Sequence, residues 1–158
     1  MGASLLTGAL LSAGLITAPS ASAAVYCPGD PDQTSESFRR IALPNKPDMN
    51  VLVLNCFYNE RGWYQATQVI NWASTTGGNG FGKKFNYFRG TVWAQKNDRN
   101  KCGDTRSPMV NANASGSYIH YCTWDHANTS GMSADGKIVY DIKNDGEGKK
   151  VWQLNGTS

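Results

Sequence analysis

Between Gly116 and His126 the chain reads Gly-Ser-Tyr-Ile-His-Tyr-Cys-Thr-Trp-Asp-His, which gathers both histidines with a cysteine, a tryptophan, two tyrosines and an aspartate. A histidine near a carboxylate is a ready proton-transfer pair, because imidazole titrates close to neutral pH without help. Geometry restricts what this stretch can do. As a strand its side chains alternate, so Tyr118, His120, Cys122, Trp124 and His126 share one face, with Ile119, Tyr121, Thr123 and Asp125 on the other. At about 3.3 Å per residue, His120 and His126 stand roughly 20 Å apart. That is too far to serve one reacting group or one metal ion. Asp125 turns away from His126. The stretch offers at most one histidine for function and otherwise reads as a core strand fastened by Cys122.

One acid, one base and one cation around a phosphodiester would suffice for a small nuclease or other hydrolase. The candidates are His120 or His126 with Glu60 and Arg61, although Glu60 and Arg61 are neighbours that diverge on a strand. Other enzyme classes find no support. No G-x-S-x-G elbow, HExxH pair or EF-hand loop occurs. The glycine-dense run Thr75–Gly82 lacks the terminal Gly-Lys-Ser/Thr of a phosphate-binding loop. A glycosidase needs two facing carboxylates, and the glutamates Glu36, Glu60 and Glu147 all fall in expected turns or helix starts.

Binding is the better-supported role. Five tryptophans and seven tyrosines are many rings for 158 residues. Exposed rings beside amides and carboxylates suit sugar or peptide surfaces. The net charge is only +3, but Lys83, Lys84, Arg89, Lys96, Arg99, Lys101 and Arg106 crowd one segment against Asp98 and Asp104. Such a concentration marks contact with anionic polymer, cell-wall glycan or an extracellular protein. The binding candidates are Trp124, Tyr118, Lys83, Lys84, Arg89 and Arg99. An inhibitor or toxin-like module, presenting Asn97–Met109 as a rigid loop, is a third reading. No cofactor and no metal is expected.

The elements that must position these residues begin after residue 23. Leu5–Thr17 is apolar, Pro19 follows, and Ala21-Ser22-Ala23 is a small-x-small cleavage site, the order of a secretory signal peptide. Residues 24–158 are then expected to form a single secreted, monomeric domain with no membrane span. The four cysteines all lie in that part. An even count in an oxidising compartment predicts two disulfides, and Cys27–Cys56 with Cys102–Cys122 close the shortest loops. Zinc would need ligands paired at C-x2-C-like spacing, and there are none.

Phe38, Ile41 and Ala42 at helical spacing, with Thr34 or Ser35 as a cap, predict one short helix within Gln33–Leu43. Met49–Tyr58, Gly62–Ser74, Phe85–Gln95, the opening stretch, Lys137–Lys143 and Val151–Leu154 read as strands, with a bulge at Gly90. Lys96–Ala114 reads as a long loop and Ala127–Gly136 as turns. Asn144–Gly148 is a hairpin signal. About six strands with little helix predict an all-β fold, a mainly antiparallel sandwich or small barrel.

Overall fold

The computed structural model describes residues 25–60, 62–76, 82–125 and 131–157. Within them the chain forms eight strands: β1 (Gln33–Ile41), β2 (Met49–Glu60), β3 (Trp63–Ser74), β4 (Phe85–Lys96), β5 (Arg99–Arg106), β6 (Ser115–Asp125), β7 (Met132–Ile142) and β8 (Lys149–Gln153). They make two antiparallel four-stranded sheets, β1-β2-β3-β6 and β5-β4-β7-β8. Along β7 every second residue from Met132 to Ile142 is buried, which is the pattern of a sheet with one face on the core. The two inner faces meet over Met49, Val51, Val53, Ile70, Trp72, Phe85, Phe88, Ile138, Tyr140 and Trp152. The expected sandwich is the observed one, and no described residue is helical.

β3 departs from alternation, since nearly all its residues from Tyr64 to Ser74 are buried. Its outer face is covered by the segment that precedes β1. The Cys27–Cys56 disulfide pins that segment across Leu54, Tyr58 and Val69. Tyr58 donates its hydroxyl hydrogen to Pro28 O, and the Asn71 amide takes the Val25 backbone at both its N–H and its C=O.

Four expectations are corrected. The short helix in Gln33–Leu43 is the edge strand β1. Phe38 and Ile41, read as one helical face, lie on opposite faces of it: Ile41 is buried and Phe38 is 61% exposed. The segment finds its backbone partners in β2, from Gln33↔Phe57 to Ile41↔Met49, and that ladder outweighs local helical spacing. Lys96–Ala114 is not one long loop, because β5 occupies Arg99–Arg106 and pairs with β4. Residues 132–136 of the turn-rich stretch belong to β7. The irregularities of β4 fall at Phe85/Tyr87 and Ala94/Gln95, not at Gly90. The Asn144–Gly148 hairpin is present, with Asn144, Gly146 and Gly148 in the left-handed region that such turns require.

Both open sides of the sandwich are fastened, by different chemistry. On one side Cys102 of β5 and Cys122 of β6 are joined across the sheets, Cα to Cα 5.8 Å. On the other, Asn155 stitches the end of β8 to β1. Its N–H donates to Ser37 Oγ, its amide to Glu36 O, and its carbonyl accepts from Ser35 Oγ.

Candidate functional site

Behind the Cys102–Cys122 bridge lies a polar chain that crosses the core. His120 on β6 is 4% exposed. Its Nδ1 is 3.0 Å from Asp104 Oδ2 on β5, and its Nε2 is 3.0 Å from Gln68 Oε1 on β3. Gln68 Nε2 donates to Asn55 Oδ1 and to Thr91 O, and Asn55 Nδ2 donates to Asn155 O. Two backbone carbonyls, of Thr91 and Asn155, can only accept. They fix both amides so that Gln68 presents its oxygen to His120. Arg106 Nε completes the chain on Asp104 Oδ2 at 3.0 Å.

Room for this chain comes from two glycines. A Cβ at Gly90 would collide with Gln68 Oε1 and the Ile70 δ-methyl, and one at Gly136 would stand 2.9 Å from Asn55 Oδ1. Both His120 nitrogens face oxygens that accept, of Asp104 and Gln68, and a neutral imidazole, with one N–H, donates to one of them at a time. Burial opposes the charge and holds the His120 pKa below the ordinary histidine value, against the upward pull of the Asp104 hydrogen bond and charge.

At the end of the same side is an open pocket of about 510 Å³ lined by Lys96, Asn97, Arg99, Lys101 and Trp124. Local backbone geometry builds it. Asn97 and Asp98 both have positive φ and form a two-residue turn between β4 and β5, which sets Lys96 directly opposite Arg99. The turn is held by Asn97 N–H donating to Gly131 O. Ala94 pairs with Cys102 but Gln95 with Asn100, so Lys101 is the extra residue of a bulge. The bulge takes it out of the strand alternation, and its Nζ sits 5.5 Å from the Trp124 ring centroid. Trp124 leans on the buried Tyr64 at 6.1 Å, and Tyr64 stacks on Phe57 at 5.9 Å. An aromatic ladder thus anchors an indole at the surface. Among the described residues that line the pocket, none is acidic.

No protein-family model, curated protein or solved structure matches this chain. Function rests on the site.

The residues read from the sequence divide as follows. Trp124 and Arg99 come together in the pocket. Tyr118 faces inward and packs on the core, 6.0 Å from His120. Lys84 is 3% exposed, and its Nζ donates to Val110 O and Asn113 O, tying down the chain between β5 and β6. Desolvation, then the charge of Lys46, lowers its pKa. Lys83 is exposed before β4. Arg89 lies on the outer face of its sheet, over Tyr87 at 5.1 Å, seven positions along β4 from Lys96 and so roughly 23 Å away. His126, Arg61 and the Glu60 side chain lie outside the described residues. The carboxylate beside His120 is Asp104, which sequence reasoning did not pair with it. The signal was present: Asp104 follows Cys102 by two and His120 precedes Cys122 by two, the next rung of two antiparallel edges joined by a disulfide.

Proposed function

We propose that this chain is a secreted binding domain whose Trp124 pocket holds an anionic glycan of a cell envelope. The observation that carries the reading is the cluster of Lys96, Arg99 and Lys101 around a braced indole, in an open pocket with no described acidic lining residue. The ring covers the apolar face of a sugar while the cations take its phosphate or carboxylate. The two disulfides and the signal-like residues 1–23 support an extracellular setting. No helix among the described residues is long and apolar enough to cross a membrane.

Hydrolysis at His120 is the weaker reading. An acid, a base and a cation do assemble, as His120, Asp104 and Arg106, but the imidazole is enclosed and both its nitrogens are engaged. It supports the sandwich. Titration calorimetry with soluble wall teichoic acid and with a galacturonate oligomer tests the binding. We expect saturable binding that weakens as salt screens the cations and is lost on Trp124→Ala and on Arg99→Ala. No binding of either glycan at low salt, or binding indifferent to Trp124→Ala, overturns it.

A further inference from the structure

The sandwich has four edge strands, and three of them are guarded against pairing with another chain. β8 has five residues and two lysines, Lys149 and Lys150. β5 carries Arg99, Lys101 and Arg106 and is bulged at Lys101. β1 carries Arg39 and Arg40 against Glu36, and Ser35–Ser37 within it are taken by the Asn155 stitch. Charge, brevity, bulges and covering are the usual means of blunting an edge.

Among the described residues β6 shows none of these. It is eleven residues long, pairs with β3 without a register shift, and holds no ionised side chain before its last residue, Asp125; His120 points into the core. On its outer face Ile119 and Tyr121 stand 41% and 58% exposed. Among the described residues no strand pairs with its free edge.

We propose that the chain dimerises through this edge, β6 pairing antiparallel with β6 of a second copy across a two-fold axis. The two four-stranded sheets become one sheet of eight. The occupant follows from charge and pattern. The other three edges all carry fixed charges, whereas β6 paired with its own copy about His120 sets Asp125 opposite Ser115 and brings no two like charges together. Pairing centred on His120 places Ile119 opposite the second copy's Tyr121, and Tyr121 opposite the second copy's Ile119. Each is an aromatic–β-branched cross-strand pair of the favourable kind, and the isologous contact closes on itself. This departs from the monomer expected of the sequence alone, and it does not depend on what the Trp124 pocket holds.

Sedimentation velocity on the secreted protein, from low micromolar to several hundred micromolar, provides the test. We expect the mass to double with concentration, and amide exchange along β6 to slow in step with it while β3 is unchanged. Ile119→Lys with Tyr121→Lys should weaken association by about tenfold or more. Val151→Lys removes an equally exposed apolar residue from β8 and should leave association intact. A protein monomeric throughout the range overturns the proposal. So does a dimer that survives the β6 pair of lysines, or one that is lost equally with Val151→Lys.

Discussion

Replacing Gln68 by Met asks whether the polar chain through the core supports the fold. Met is close in volume and apolar, so it fills the site without a large cavity. It cannot donate to Asn55 Oδ1 or Thr91 O, and it offers His120 Nε2 only a weak acceptor. Each buried polar group left without a partner costs about 1–3 kcal/mol. Three such groups, with some local readjustment, put the loss at about 3–5 kcal/mol, a large share of the 5–15 kcal/mol typical of a domain. With a urea slope of about 2 kcal/mol/M, the unfolding midpoint should fall by roughly 2 M. Equilibrium urea unfolding followed by tryptophan fluorescence reads this directly. A cycle with His120→Ala should show a coupling of about 0.5–3 kcal/mol, since the two residues share one chain. A midpoint shift worth less than about 1 kcal/mol, with native-like spectra, would refute the argument that these amides and the imidazole act as a unit.

Gly90→Ala should destabilise by about 1–3 kcal/mol, because the added methyl meets Gln68, Ile70 and His120 at once; the melting temperature reports it. Replacing Cys102 and Cys122 by Ser releases a loop of 20 residues' separation and should cost about 3 kcal/mol in urea unfolding. The same variant should bind the anionic glycan more weakly, since the bridge joins the strands that carry Lys101 and Trp124. The folded-state pKa of His120 is depressed, chiefly by burial, so the native state binds fewer protons than the unfolded one near that pKa. Stability should therefore be full above about pH 6.5 and decline as the pH falls toward the folded pKa. Urea midpoints at a series of pH values should show that decline and lose most of it in His120→Gln.

The sandwich was legible because its signals are redundant. β7 alternates, the Asn144–Gly148 turn demands its hairpin, and the cysteines pair by shortest loop, as observed. β1 was misread because Phe38 and Ile41 fit a helical face, and only the ladder to β2 decides otherwise. Lys84 sat in a run of cations, and nothing local reveals that its stem and head are buried against Val110 and Asn113. The pocket was half visible. Trp124 and Arg99 were candidates, yet Lys101 joins them through a one-residue bulge that leaves no mark in composition. Asp104 was recoverable from the symmetric Cys-x-Asp and His-x-Cys spacing once the disulfide was assumed.

The unlike fastenings of the two sides give the domain a direction of weakness under tension. A pull on the N-terminal segment is carried by Cys27 into β2, beneath β1, through a covalent bond. A pull at the other end meets no covalent crosslink among the described residues, only the burial of Trp152 and Leu154 and hydrogen bonds, Leu154 N–H to Gly136 O, Thr157 N–H to Ala134 O and the Asn155 stitch. Load applied through the ends therefore peels β8 and opens the Asn155 side first. The side that carries Lys101 and Trp124 stays shut behind Cys102–Cys122, so a domain stretched between two anchors would keep that pocket intact while the far side yields.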